Sequence, residues 1–172
     1  MKNLKKSILS GNLFIYPTDT IYGIGCNALN EQAVNKIREL KQRDVKPFSI
    51  IAPSIKWIQE NCIIDNNLDL SKYLPGPYTI ILKKKNSEFL SWVSDSETIG
   101  IRIPNHEFTK KLQKTSLPFI TTSVNLSGHP FATKISEIPE QILNQVNHII
   151  DVGELLGKPS TLIVNGKEVE RK

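Results

Sequence analysis

Thr98-Ile-Gly-Ile-Arg-Ile-Pro104 alternates strictly: Ile99, Ile101 and Ile103 share one face, and Gly100 and Arg102 fall on the other. A period of two marks a strand with one apolar face. Working outward, residues 12–16 form a short apolar run closed by Pro17, and 48–52, 119–123, 148–152 and 161–164 are further predicted strands. Pro75-Gly-Pro77 is a hard turn into a strand over 78–82. Between these lie helices. Asn30 can cap one whose apolar positions Ala33, Val34, Ile37 and Leu40 recur at helical spacing and which ends in the basic Lys41-Gln-Arg43. Ser54 caps a short helix through Trp57 and Ile58, another spans about 108–112, and Pro139 starts one through Ile142 and Val146. Strands interleaved with short helices argue an α/β fold, and some short connections demand antiparallel pairs. The expected architecture is a twisted, mixed (parallel and antiparallel) open sheet flanked by helices.

The chain of 172 residues suits one domain, taken here as 1–172, with no internal repeat or long linker. Apolar residues at 39% and charged residues at 23% exclude a disordered composition. No apolar stretch approaches a membrane span, and the basic Met1-Lys2-Asn3-Leu4-Lys5-Lys6 is not followed by the apolar core of a secretory signal. Two cysteines, Cys26 and Cys62, make neither a disulfide framework nor a four-thiolate zinc site, so the expected compartment is the cytoplasm. A net charge of +5 and a pI near 9.2 fit an anionic partner, although Lys-rich composition alone produces the same sign. The four arginines (Arg38, Arg43, Arg102 and Arg171) are more informative, because their planar fork grips carboxylate or phosphate by two bonds.

Several segments could carry chemistry. Tyr16-Pro-Thr-Asp-Thr-Ile-Tyr-Gly-Ile-Gly25 reads either as a ligand loop at a strand end or as a tight turn with Asp19 bonding its own backbone. It lacks the Walker A Lys-[Ser/Thr] and the third glycine of a dinucleotide loop. Lys41, Arg43 and Lys46 cluster after a helix, where the helix dipole alone favours cations. In Thr121-Thr-Ser-Val-Asn-Leu-Ser-Gly128, Ser123 and Asn125 can face the same way and donate to phosphate oxygens, or they belong to a strand-to-loop transition. Arg102 is in a structural ion pair or a binding cleft, and Gly157-Lys-Pro-Ser160-Thr161 opens the last strand. His148, on an apolar strand, reads as a core residue. No Gly-x-Ser-x-Gly elbow or His-Glu-x-x-His zinc motif occurs. Cations and hydroxyls without an evident nucleophile and base fit phosphoryl or nucleotidyl transfer.

In order and spacing, six segments resemble the YrdC/TsaC family, the threonylcarbamoyl-AMP synthases, in their short form. They are Tyr16 to Gly25, Glu39-Leu-Lys-Gln-Arg43, Pro75-Gly-Pro-Tyr-Thr79, Gly100-Ile-Arg-Ile-Pro104, Ser123-Val-Asn-Leu-Ser-Gly128 and Ser160-Thr161. The resemblance implies a YrdC-like sheet with a concave basic cleft. It also implies a nucleotidyltransferase that makes L-threonylcarbamoyl-AMP and pyrophosphate from L-threonine, bicarbonate or CO2, and ATP with Mg²⁺, no metal ligands being assigned. The product would feed threonylcarbamoyladenosine formation at position 37 of tRNA, through a downstream transferase complex. By the same resemblance Lys41, Arg43, Ser123 and Asn125 are the catalytic quartet on the nucleotide, with Thr98 and Arg171 as further ATP contacts. Thr20, Arg102, Thr121 and Ser160 hold L-threonine, Arg102 clamping its carboxylate. The alternatives are a YciO-like paralogue of the same fold and a non-catalytic RNA-binding module using the same cleft. Lys41, Arg43, Ser123 and Asn125 favour the synthase over the paralogue, and the lack of aromatic residues among the lysines disfavours the RNA module. A hydrogenase-maturation carbamoyl-transfer domain would need zinc-finger cysteines that two residues cannot supply.

Overall fold

The computed structural model describes residues 2–43, 46–126, 128–155 and 157–169. The chain opens with helix α1 (Lys2–Leu9), then strands β1 (Phe14–Tyr16) and β2 (Gly23–Gly25), helix α2 (Glu31–Lys41) and strand β3 (Ser49–Ile51). Helix α3 (Ile55–Asn61), β4 (Cys62–Ile63), β5 (Tyr78–Lys84), β6 (Thr98–Arg102) and α4 (Glu107–Gln113) follow. The last third holds β7 (Phe119–Ser123), α5 (Glu140–Leu143), β8 (His148–Ile149), β9 (Thr161–Val164) and β10 (Lys167–Val169). The strands form one sheet in the order β10-β9-β5-β6-β3-β7-β2-β1-β8, with β4 pairing β5. The β1–β8, β3–β6 and β5–β9 pairs are parallel, and the others antiparallel. The expected mixed open sheet is therefore what forms.

Local chemistry accounts for the elements. The Asn30 side chain accepts from Ala33 N at 3.0 Å, and the Ser54 hydroxyl accepts from Trp57 N at 3.0 Å, so both predicted caps start their helices. On α2, Ala33, Val34, Ile37 and Leu40 are buried. The helix ends at Gln42 in the left-handed region (φ 50°), with Arg43 N bonded back to Arg38 O.

Alternation then divides the sheet. One face carries Ile15, Ile24, Ile50, Ile80, Ile101 and Ile120 into the larger core under α2. The other carries Phe14, Tyr16, Ile51 and Phe119, on which Ile8 of α1 and Phe108 and Leu112 of α4 close a second core. Each large apolar side chain so buried contributes about 1.5–3 kcal/mol.

Four expectations are corrected. The Gly23–Gly25 stretch is not loop but strand β2, pairing with β1 and β7; a Cβ on Gly25 would lie 1.9 Å from Ile120 O, so glycine is what admits the neighbouring strand. Helix α5 stops at Leu143, short of Val146, and β8 is only two residues long. His148 is exposed rather than in a core: its Nε2 meets Ser7 Oγ at 2.5 Å, and its ring stacks on Phe14. Helix α1 and strands β2, β4 and β10 were not anticipated.

Candidate active site

The face shared with the second core changes character partway along the sheet. In β7, Phe119 faces that core while Thr121 and Ser123, two and four residues on, put hydroxyls on the same side. In β3, Ile51 is followed in reverse by Ser49, which sits across from Thr121 on one side and Gly100 on the other. A Cβ on Gly100 would lie 2.4 Å from Ser49 Oγ and 3.2 Å from Thr79 Cγ2, so the bare glycine keeps the floor open. Helices α1 and α4 cover the apolar half. The polar half is left as a cleft of about 440 Å³.

Arg102 comes from β6, the strand predicted from its isoleucines. Its Nη2 donates to Asp19 Oδ1 at 3.1 Å and to Thr20 Oγ1 at 3.2 Å, while Asn105 N donates to Asp19 Oδ2 at 2.8 Å. Both alternatives for Arg102 hold together, since the ion pair is nearly buried (side chains 8% and 12% exposed) and Arg102 also lines the cleft. Asp19 therefore spends its carboxylate on a partner 83 residues away rather than on its own turn.

A hydroxyl chain backs this arginine. Thr18 Oγ1 donates to Ile21 O at 2.8 Å and accepts from Thr20 N at 3.1 Å, so in the 2.8 Å contact between the two hydroxyls Thr20 is the donor. Thr20 can then accept from Arg102. Thr20 is buried behind the arginine, and of these two threonines it is Thr18, not among the expected site residues, that lines the cleft. Thr121 and Ser160 line it; Ser160 Oγ lies 2.7 Å from Thr79 Oγ1, and Thr79 lines it too.

Arg43, Ser123 and Asn125 line the cleft as well. Arg43 Nη2 donates to Pro47 O at 2.8 Å, and its guanidinium lies 5.2 Å from the Phe48 ring centre. Ser123 Oγ donates to Asn125 Oδ1 at 2.5 Å, and Asn125 Nδ2 to His129 O at 2.5 Å. Lys41 is not in the lining. It is 1% exposed, with Nζ under the turn that leaves β7, donating to Ser123 O, to Asn125 O at 2.7 Å and to Asn125 Oδ1 at 3.0 Å. The three N–H bonds of an ammonium match three oxygens. Burial, with repulsion from Arg43 second, pushes its pKa down to about 7. Lys41, expected on the nucleotide, is thus a clamp on the turn carrying Ser123 and Asn125.

Thr98 is exposed at the start of β6 and lines an adjoining hollow of about 620 Å³ with Lys46. The hollow and the cleft share Arg43, Pro47, Phe48 and Ser49, so the two adjoin along that segment. Arg171 lies outside the described residues. No group of three His, Cys, Asp or Glu side chains comes together among the described residues.

A mixed α/β sheet whose open half is a depression lined by two guanidiniums and a row of hydroxyls defines a protein built to hold a small polar molecule. The family model Sua5_yciO_yrdC, described as "Telomere recombination", matches residues 6–171, and the chain belongs to that family. A Methanocaldococcus jannaschii protein provisionally named threonylcarbamoyl-AMP synthase is 41% identical over 164 residues, covering 93% of this chain and 77% of its own. The threonylcarbamoyl-AMP synthase of Pseudoalteromonas atlantica is 36% identical, covering 88% and 84%. Among solved structures, Pyrococcus abyssi Sua5 complexed with L-threonine superposes with a TM-score of 0.85 at 32% identity, over 96% of this chain and 51% of that one. This chain thus spans about half of Sua5. Escherichia coli YciO superposes with a TM-score of 0.82 at 27% identity, over 96% and 83%. Among the described residues no helix is long and apolar enough to cross a membrane.

Proposed function

We propose that this chain is a threonylcarbamoyl-AMP synthase, a nucleotidyltransferase acting on L-threonine, bicarbonate or CO2, and ATP. The observation that carries the reading is the convergence of Arg43, Ser123 and Asn125 with Arg102, Thr121 and Ser160 on one cleft. The names of the two relatives and the L-threonine in Sua5 support it. The threonine nitrogen bonds to the carbon of CO2 and sheds a proton. The carbamate oxygen then bonds to the α-phosphorus as the bond to the β-phosphate oxygen breaks and pyrophosphate leaves. Starting from bicarbonate, one water is also released.

Each group has a task on this reading. Arg43, Ser123 and Asn125 hold the phosphates, Arg43 neutralising charge while the hydroxyl and amide fix direction. Lys41 keeps the Ser123–Asn125 turn in place, and Thr98 meets the nucleotide from the adjoining hollow. Arg102 clamps the threonine carboxylate, Thr20 steadies Arg102, and Thr121 and Ser160 frame the amino acid. The chain's donor set makes no metal site of its own among the described residues, and Asp19 is already taken by Arg102 and Asn105. Mg²⁺ would enter as the ion carried on the phosphates of ATP, where it supplies charge neutralisation. The product passes, in the cytoplasm, to a transferase complex that modifies adenosine 37 of tRNA.

The test is to incubate the protein with ATP and bicarbonate, with and without L-threonine, and to measure pyrophosphate and the AMP adduct. L-serine and carbamoyl phosphate serve as competing substrates. Strict L-threonine dependence is expected, and its absence overturns the reading in favour of a YciO-like or purely binding role on the same sheet. Arg43→Ala is expected to abolish pyrophosphate release while the protein stays folded, and retained threonine-dependent turnover in that variant counts against the assignment.

A further inference from the structure

Arg38 belongs to none of the groups assigned above, yet it organises the wall on which Arg43 lies. It sits on the last turns of α2, half-buried, in a chain where arginine is scarce. Its Nη1 donates to Lys46 O at 2.9 Å. Its Nη2 donates to Trp92 O at 2.8 Å and to Val93 O at 3.1 Å. The guanidinium also lies 4.4 Å from the centre of the Phe48 ring, and Phe48 N bonds Val93 O at 3.0 Å. One side chain therefore ties together α2, residues 46–48 and the 92–93 loop.

Two contacts of Arg43 fall on the same segment: the carbonyl of Pro47, between Lys46 and Phe48, and the Phe48 ring itself. Its own N–H bonds Arg38 O at 3.0 Å. We propose that Arg38 is a positioning residue for Arg43, fixing the Pro47 carbonyl and the Phe48 ring that aim the Arg43 guanidinium into the cleft. A lysine cannot take this place. The carbonyl of Lys46 is met by one terminal nitrogen and those of Trp92 and Val93 by the other, while the guanidinium carbon lies over the Phe48 ring. One ammonium nitrogen reaches only one of these sites and has no flat face to stack.

The proposal rests on the reading of Arg43 as a phosphate-binding group, so the experiment separates the two. Arg38→Lys, Arg38→Met and Phe48→Leu are compared with the unaltered chain in three measurements. These are the ¹⁵N resonance of Arg43 Nε, assigned through loss of the signal in Arg43→Lys, and titration calorimetry of inorganic tripolyphosphate and of L-threonine. Thermal melting checks folding. The expected result is a moved Arg43 resonance in all three variants and tripolyphosphate binding weakened by about tenfold, as loss of one well-aimed charge contact implies. L-threonine binding stays within about twofold, a separation that general loosening of the fold does not give. Lysine fails to rescue.

An unmoved Arg43 resonance in any folded variant overturns the proposal, and so does parallel weakening of both ligands. If the unaltered chain does not bind tripolyphosphate, the phosphate reading of Arg43 fails, and the resonance alone still decides whether Arg38 sets its position. Phe48→Leu leaves the three carbonyl bonds intact and keeps the question decidable should the Arg38 variants not fold.

Discussion

Gly157→Ala is the sharpest probe of how the amino-acid side of the cleft is assembled. A Cβ on Gly157 would lie 1.9 Å from Thr20 O, 2.5 Å from Thr20 C and 2.6 Å from Thr20 Cα. These are backbone atoms of the residue that steadies Arg102, and they cannot rotate away. Ordinary contact begins at 3.4 Å, so the two segments must part by about 1.5 Å. Three residues on, Ser160 loses its 2.7 Å register with Thr79, or Thr20 is pushed off Arg102. Overpacking of this kind costs about 1–3 kcal/mol of stability, and a misplacement near 1 Å lowers a positioned contact by up to about 10²-fold. Calorimetry of L-threonine and of ATP with the folded variant separates these effects. L-threonine affinity is expected to fall by about ten- to a hundredfold while ATP affinity changes by less than about threefold. A folded Gly157→Ala protein with unchanged L-threonine affinity refutes the reasoning.

Further outcomes follow from single contacts. Arg102→Lys keeps the charge but replaces the planar guanidinium, whose Nη2 meets both Asp19 and Thr20, by an ammonium that cannot grip a carboxylate by two parallel bonds, and L-threonine binding is expected to drop by at least about tenfold, the scale of one charge-assisted bond; equal affinity in calorimetry contradicts this. Thr109 is fully buried on α4, and its Oγ1 has no hydrogen-bond partner among the described residues. Thr109→Val is therefore expected to stabilise the protein by about 1 kcal/mol in denaturant unfolding, and a lower midpoint shows that the hydroxyl is satisfied. His106 Nδ1 accepts from Phe108 N at 3.1 Å, and burial first lowers its pKa below the ordinary 6.5. The unfolded chain then binds the proton more readily, so this capping contribution is complete above pH 6.5 and is lost as pH falls through the depressed value. A proton NMR titration of the ring is expected to give a midpoint below 6.5, together with loss of Phe108 amide protection in acid; a midpoint at or above 6.5 contradicts it.

The elements legible in the sequence are those whose local signal and tertiary role agree. The isoleucines of 98–104 alternate because one face of β6 is core, and the cap at Asn30 and the spacing through Leu40 define α2 for the same reason. Helix α1 carried too little signal. Only Leu4 and Ile8 among its lysines are apolar contacts, and docking on the second core makes it a helix. Strand β2 was hidden by its glycines, which read as loop; Gly25 is there because Ile120 O approaches within the space of a side chain.

At the site, residue types were legible and their depth was not. Lys41 was expected on the nucleotide but lies beneath the turn, and Thr20 was expected at the ligand but lies behind Arg102. Both displacements depend on contacts more than 80 residues away in sequence, which no local pattern encodes. Thr18 and Thr79 lie within segments already singled out, and the alternation of β5, which puts Thr79 on the face opposite Ile80, is the signal that finds Thr79.

The central claim is that one depression holds a nucleotide polyphosphate beside L-threonine. A crystal structure with L-threonine and an ATP analogue whose α–β bridge is a methylene tests it most directly. The account predicts phosphate oxygens on Arg43, Ser123 and Asn125 and the amino-acid carboxylate on Arg102. A nucleotide bound away from these residues, or an Arg102 still engaged only with Asp19 and Thr20 when L-threonine is present, contradicts it.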